Sequence, residues 1–396
     1  MSPLNVRSTD PLSVALLGTR GVPARYGGFE TAIEEVGRRL SDRGHQVVVY
    51  CRQPDGGSDR PSEYLGMKLV HLPAMRRRTL ETLSHTGLSA AHLLAHKTDA
   101  ALVFNAANAP WLPLLRVARI PVATHVDGLE WQRAKWGPVG SRYYRACEAM
   151  AVRWSDALIA DAEGIADYYS EEFGAPTSLI TYGAPLLEPG HSHRLPELGL
   201  QSGAYHLVVA RFEPENHVDV IVDGYSRSSS RLPLVVVGSA PYSDEYTRKV
   251  RSLADGRVRF LGGVWDQEQL DQLYANAAVY WHGHSVGGTN PSLLRALGAG
   301  TAVNALDVGF NREVLRGAGE YFKEANDIPA LVQAAEDDRP ALAARAAQSR
   351  TEALRYDWDI VADDYEKLCY ELRDRGHRRI GGGRRISRSA EPIPTR

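Results

Sequence analysis

Cysteine is scarce in this chain of 396 residues: Cys51, Cys147 and Cys369 lie far apart, form no CxxC pair and are odd in number. That usage excludes a disulfide framework and a cysteine-type zinc site, and it fits a reduced, cytoplasmic setting. Net charge is missing too. Lys and Arg number 46 against 48 Asp and Glu, a formal −2, so no global field draws the molecule to nucleic acid. Long apolar runs are also lacking. After Arg7 the first run, residues 14–17, stops at Gly18. It is too short for the core of a secretion signal and far short of the ~20 residues of a membrane span. No Walker A sequence and no G-x-G-x-x-G occur, and the run at 47–50 leads into Cys51-Arg52 where a ribose-binding acid would be expected. An NAD site is thereby excluded, and an NADP oxidoreductase would have only Arg52 for the extra phosphate. The D-x-D sequence, Asp357-Trp-Asp359, falls on a helical stretch; it reads as helix-start electrostatics, and no metal site is expected.

What is present is ordinary soluble-protein composition, 43% hydrophobic and 24% charged, in a chain too long for one hydrophobic core. The run at 14–17 is followed by a glycine loop reaching Gly28, then by Ile33, Val36 and Leu40 at helical spacing, Gly44, and the run at 47–50. This is a βαβ unit of the doubly wound kind, with strands that lack alternation because both sheet faces are covered. Runs at 101–104, 121–124, 157–160 and 179–182 continue the series. Residues 188–202 are polar and rich in Gly, Pro and His, and they read as the interdomain linker. A second series then begins at 205–209, 234–237, 258–260, 277–281 and 302–304. Two doubly wound domains in tandem place a ligand in the cleft between them.

Three stretches carry candidate chemistry. In residues 277–300 an apolar strand runs into Gly287-Gly288-Thr289-Asn290-Pro291, with asparagine as N-cap and proline at the first helical position. The N–H groups of Ser292 and Leu293 would then be free at the positive end of a helix, either an anion cradle or a plain strand-to-helix turn. In residues 125–136 a strand end leads into His125, Asp127, Glu130, Trp131, Arg133 and Trp136. This mixture suits a sugar, although Trp136 reads as a loop anchor. Third, Arg76-Arg77-Arg78 and the tail from Arg373, with eight arginines against two acids, read as a solvated face and a flexible segment. Both permit peripheral contact with an anionic membrane.

Together these residues resemble the GT-B retaining glycosyltransferases of family 4, most closely a bacterial exopolysaccharide and rhamnosyltransferase-like branch. The likeness covers roughly residues 12–370. It rests on Leu16-Leu-Gly-Thr-Arg-Gly-Val-Pro-Ala-Arg-Tyr-Gly-Gly-Phe-Glu-Thr31, Asp127-Gly-Leu-Glu-Trp131, Ala210-Arg-Phe-Glu-Pro-Glu215 and Ser285-Val-Gly-Gly-Thr-Asn-Pro-Ser-Leu-Leu294. The resemblance implies an α/β GT-B architecture, two tandem Rossmann-like doubly wound domains facing across a cleft. The expected parts are an acceptor-side domain over 1–185, a nucleotide-sugar domain over 186–355, a return helix over 356–372 and a basic tail over 373–396. It implies metal-free, retaining transfer of a sugar from a dTDP-, UDP- or GDP-sugar, a substrate with no cofactor beside it, to a saccharide or lipid-linked acceptor. The setting implied is cell-surface polysaccharide synthesis at the cytoplasmic side of the membrane.

Carried over by position, Gly27 and Gly28 would meet the diphosphate and Arg211 would neutralise it. Asn216, Gly288, Thr289, Asn290, Ser292, Leu293 and Arg295 would complete the donor site, with Asp127 at the reacting sugar and His125, Glu130, Trp131 and Arg133 toward the acceptor. Three positions depart from the family pattern. Asn216 replaces a lysine, leaving Arg20, Arg25 or Arg312 to supply the charge. Asp127 stands where a histidine is common. Gly287 and Arg295 replace a pair of glutamates, the second of which accepts from the donor ribose. Arginine has only donors, so a 2′-deoxy donor such as dTDP-rhamnose is expected to suit the site. The same loss supports an alternative, a catalytically silent sugar-nucleotide-binding scaffold in a polysaccharide assembly complex.

Overall fold

A computed structural model of the protein describes residues 10–24, 27–53, 60–75, 80–126, 128–133, 136–188, 190–238 and 244–376. Arg25, Arg76 to Arg78, Asp127 and the tail from His377 lie outside the described residues. Two sheets are present, one per half of the chain, parallel except for a hairpin at one edge of the first. In the first, strands β1 (Ser13–Leu17), β2 (Gln46–Arg52), β3 (Glu63–Tyr64), β4 (Met67–Leu72), β5 (Ala100–Phe104), β6 (Val122–His125), β7 (Ala157–Ala160) and β8 (Ser178–Leu179) lie in the order β3-β4-β2-β1-β5-β6-β7-β8. In the second, β9 (His206–Val209), β10 (Leu234–Val237), β11 (Val258–Gly262), β12 (Val279–His282), β13 (Ala302–Leu306) and β14 (Gly319–Phe322) lie in the order β11-β10-β9-β12-β13-β14. In both sheets the order reverses beside the first strand, the arrangement that opens a crevice at the carboxyl ends of the central strands.

The two doubly wound domains expected from the apolar runs are therefore found. Residues of β1, β5, β10 and β12 are almost fully buried, as a sheet covered on both faces requires. Three strands lie outside those runs. β3 and β4 form an antiparallel hairpin across Leu65 and Gly66, both at positive φ, and β14 closes the far edge of the second sheet. β3 and β14 are edge strands and β4 lies next to the edge, all with half-exposed faces, so their sequence is not continuously apolar. Conversely, the run at 179–182 shortens to β8, because beyond Leu179 the chain leaves the sheet. Gly183 then passes under Trp358, where an added Cβ would lie 2.2 Å from Cδ2.

That tryptophan starts the last helix, Trp358–Arg375, which returns to the first domain. Its apolar stripe of Trp358, Val361, Tyr365, Leu368 and Leu372 is buried in the same cluster as Ile33, Val36 and Leu40 of the helix Gly28–Asp42. Around the stripe Arg39 Nε meets Asp359 at 2.5 Å, Arg43 meets Glu366 and Asp363 at 2.6 and 2.7 Å, and His45 meets Glu366 at 2.7 Å. The buried stripe supplies most of the adhesion, since exposed ion pairs are worth about 0–1 kcal/mol each. Asp357 caps the helix by accepting from the Asp359 N–H at 2.8 Å, so the D-x-D sequence serves the helix start. The helix runs to Arg375, three residues beyond the boundary expected for it.

Candidate active site

The carboxyl ends of β9 and β12 lie side by side in the second sheet, and their loops face the ends of β1, β6 and β7 in the first. After β12 the chain passes through Gly287, at φ 127°, to Asn290. Asn290 Oδ1 accepts from the Ser292 N–H at 3.0 Å and from the Ser292 hydroxyl at 2.8 Å, and the eight-residue helix Pro291–Gly298 follows. The cap and the proline stand where the sequence pattern put them. The free N–H groups expected behind them do not: Ser292 is engaged by the Asn290 side chain, and the Leu293 N–H donates to the Asn290 carbonyl at 3.0 Å. The N-cap that starts the helix occupies the donors that an unliganded cradle would have left open.

Glycines bring the domains together around this loop. An added Cβ at Gly288 would fall 2.0 Å from Asp161 Oδ1, beyond β7; at Gly128, beyond β6, 2.5 Å from Gly287 Cα; and at Gly28, 2.8 Å from Pro291 Cγ. Thr289 is buried, and its hydroxyl donates to the Asp161 carbonyl at 2.5 Å. Gly27, at φ 112°, begins the helix Gly28–Asp42 and lies beside Glu30. Burial pushes the Glu30 carboxyl up, against the N–H of Arg20 that it accepts at 3.3 Å. Gly28 thus makes room for the other domain, a role that the resemblance did not convey.

Beside β9, Arg211 is exposed and has no ion-pair partner among the described residues. Its segment is braced by Asn216, a buried side chain whose amide donates to the Arg211 carbonyl at 2.9 Å. His284, after β12, is driven strongly toward the neutral form by burial and by the nearby His282, Arg211 and Arg133. His284 thus lies in the field of Arg211 from one domain and Arg133 from the other. An anion approaching from the cleft would meet the exposed Arg211 guanidinium rather than Arg133, which already pairs with Glu130 and Glu215.

The family comparisons agree with this geometry. Residues 27–183 match the glycosyl transferase 4-like domain and residues 204–337 match glycosyl transferases group 1. The chain belongs to the GT-B glycosyltransferases. It is 26% identical to a glycogen synthase of Mycobacterium tuberculosis, over 86% of this chain and 90% of that one. It is also 26% identical to a phosphatidyl-myo-inositol mannosyltransferase of the same organism, over 86% and 92%. Among solved structures it superposes on sucrose-phosphate synthase of Thermosynechococcus elongatus with TM-score 0.77 at 18% identity, covering 91% of this chain and 99% of that one. Anabaena HepE in complex with UDP-glucose gives TM-score 0.73 at 17% identity, over 90% and 99%.

Within this glycosyltransferase the remaining expected positions separate. Arg295 pairs with Asp271 on the helix Gln267–Ala275; burial pushes the Asp271 carboxyl up, opposed by that guanidinium. Arg312 is paired with Asp307 at 2.5 Å. His125 is only 2% exposed, enclosed by Phe29, Phe104 and Tyr182 at ring distances of 5.2, 5.5 and 5.8 Å, and burial lowers its pKa to about 3. It belongs to the aromatic floor beneath the cleft. Trp131 lies under Arg145 at 5.0 Å. Trp136 packs on Tyr144 and donates to Glu130 at 3.3 Å, the anchoring role its sequence suggested. Asp161, Glu215 and Asp271 were not singled out by sequence. Asp161 carried a signal in its place directly after a strand end, and Glu215 in closing the stretch Ala210-Arg-Phe-Glu-Pro-Glu215.

Proposed function

We propose that the protein is an active, retaining, metal-independent glycosyltransferase that moves a sugar from a nucleoside-diphosphate donor to a saccharide or lipid-linked saccharide hydroxyl. The observation that carries this reading is Arg211, an exposed guanidinium just beyond β9 with no ion-pair partner among the described residues, close enough to His284 beyond β12 to help hold that imidazole neutral. Here the bond from the anomeric carbon to the diphosphate oxygen breaks and negative charge grows on the leaving group beside Arg211. The acceptor oxygen bonds to the same face of the sugar, and its proton passes to the departing phosphate oxygen. No protein nucleophile is required by this sequence of events. Asp127 orients the acceptor or braces the electron-poor sugar, and Glu130, Trp131 and Arg133 shape the acceptor side.

Donors linked to dTDP, dTDP-rhamnose first among them, are the choice we infer, ahead of UDP- and GDP-sugars. With its guanidinium turned to Asp271, position 295 offers no acceptor to a ribose 2′-hydroxyl, and a 2′-deoxy nucleotide loses least. Among the described residues no helix is long and apolar enough to cross a membrane. We assign a lipid-linked acceptor, where used, to peripheral contact through Arg76 to Arg78 and the basic tail at the inner face of the membrane.

The test is nucleoside-diphosphate release across a panel of donors, with and without chelator. Sustained release that falls by about 10²–10³ in Arg211→Ala, the usual cost of removing one leaving-group stabiliser, supports the reading. Turnover with UDP- or GDP-sugars and none with dTDP-sugars refutes the donor choice. The Arg295–Asp271 pair also favours a second reading, the silent sugar-nucleotide-binding scaffold. Nucleotide binding without release for any donor would establish it.

A further inference from the structure

Resting on the glycosyltransferase reading, we propose that Arg133 is a positioning residue that couples occupation of the donor site to closure of the acceptor-side loop, by bridging Glu130 of the first domain and Glu215 of the second. Its Nε lies 2.5 Å from Glu130 Oε2 and its Nη1 3.6 Å from Glu215 Oε1. The three side chains are 14%, 9% and 5% exposed respectively. Two carboxylates and one guanidinium therefore share a nearly dry spot between the domains, where neither carboxylate has an alternative in bulk water.

What each end of the bridge is tied to gives it a task. Glu130 begins the short turn Glu130–Gln132 two residues after Gly128, whose backbone abuts Gly287 of the donor loop. Its second oxygen takes the Trp136 indole N–H, so the carboxylate holds the loop from both sides. Glu215 belongs to the segment that begins at Arg211, held in shape by Asn216. Its backbone carbonyl also accepts from the Ser285 N–H at 2.9 Å and the Ser285 hydroxyl at 3.1 Å, which joins it to the strand end that carries His284. A displacement of the Arg211 segment on anion binding is passed through Glu215 and Arg133 to the loop bearing Glu130 and Trp131. The 3.6 Å separation leaves that last contact room to tighten, whereas the 2.5 Å contact within the loop has none.

The residue types fit a coupling element better than a second diphosphate ligand. Arg133 is flanked by two carboxylates, so its charge is spoken for inside the protein, whereas Arg211 has no carboxylate partner among the described residues. Closure then depends on a neutralised Glu215. When the domains part, Glu215 loses its counter-ion and the open form exposes it to water, which sets the balance between the two arrangements.

The experiment combines hydrogen exchange with kinetics on the full chain, in wild type, Arg133→Met, Arg133→Lys, Glu215→Gln and the double variant Arg133→Met/Glu215→Gln. Adding dTDP or UDP to wild type is expected to protect the amides of residues 128–133. In Arg133→Met that protection is lost and kcat falls by roughly tenfold or more, while the nucleoside-diphosphate Kd stays within about twofold, since coupling of about 1.4 kcal/mol is a factor of ten. The double variant should be less impaired than Arg133→Met, because removing the unpaired buried charge relieves part of the damage. Arg133→Lys keeps the charge and serves where Arg133→Met fails to fold. Additive effects in the cycle, unchanged protection in Arg133→Met, or a Kd that weakens in step with kcat would each overturn the proposal, the last by making Arg133 a diphosphate ligand. A wild type that binds no nucleoside diphosphate overturns the donor reading itself, and is thereby distinguished from a failure of the coupling.

Discussion

At Gly28 a methyl group would lie 2.8 Å from Pro291 Cγ, 3.5 Å from its Cδ and 3.6 Å from Tyr182 Cζ. Pro291 belongs to the other domain, and its ring is pinned at the first turn of a capped helix. Gly28 itself opens the helix Gly28–Asp42 with ordinary negative φ, so Gly28→Ala meets no obstacle within its own domain, and alanine is the better helix former. The substitution therefore acts on the approach of the domains. Relieving the overlap needs several tenths of an ångström of separation along a face where Gly128 and Gly288 also touch backbone or carboxylate. Inserting one carbon into such packing costs about 1–3 kcal/mol. Charged to the closed arrangement alone, that is a loss of about 5- to 150-fold in kcat/KM. The melting temperature of the chain should move by no more than about 2 °C, because the unfolding domains do not feel the contact until they close. Steady-state nucleoside-diphosphate release alongside thermal melts decides it, with Gly256→Ala, where nothing lies within 4 Å of the added carbon, as the control. A Gly28→Ala protein with a lowered melting temperature and unaltered kcat/KM would refute the assignment of this glycine to domain closure.

Asn290→Ala removes the side-chain cap of the helix Pro291–Gly298 and should cost about 1 kcal/mol of stability, read as a lower denaturant midpoint. It also frees the Ser292 N–H, so nucleoside-diphosphate affinity is expected to hold or improve; a parallel loss of affinity would show that the Asn290 side chain itself meets the donor. Acid should destabilise the protein through its buried imidazoles, since burial lowers His125 and His282 to about 3 and His85 to about 4. The unfolded chain binds protons at these sites below about pH 6.5, which the folded chain resists, so their stabilisation is present above that pH and is lost as pH falls toward 3–4. His125→Phe should flatten urea-measured stability against pH between 6.5 and 4 by about one proton's slope, about 1.4 kcal/mol per pH unit. An unchanged slope would mean that His125 is protonated within the fold.

Much of the architecture could be read from the chain because its strands are buried on both faces. The apolar runs at 14–17, 101–104, 157–160 and 234–237 have no polar alternation to confuse them with surface strands, and all four are strands in the structure. Asn290 and Pro291 were equally legible, since capping depends on neighbours within a few residues. The edge strands β3 and β14, and β4 beside β3, were not, because a half-exposed strand carries no continuous apolar signal. The return of the helix Trp358–Arg375 onto Arg39, Arg43 and His45 follows from its apolar stripe only once another helix is known to offer the matching face.

The site was legible in its residue types and not in its pairings. Arg211 is reached through the family likeness, by its place in Ala210-Arg-Phe-Glu-Pro-Glu215, two residues beyond the end of β9. Arg295 shows the opposite case. Its lack of an acceptor atom is a property of the residue and was visible at once, but whether its charge is aimed at a ligand depends on Asp271, 24 positions earlier on a different helix. The same holds for Arg133 with Glu215 and for Gly288 with Asp161, each joining segments that meet only when the two domains face one another. These residues acquire meaning from the cleft, so substitutions at them should alter turnover and domain closure together while leaving each separate sheet intact.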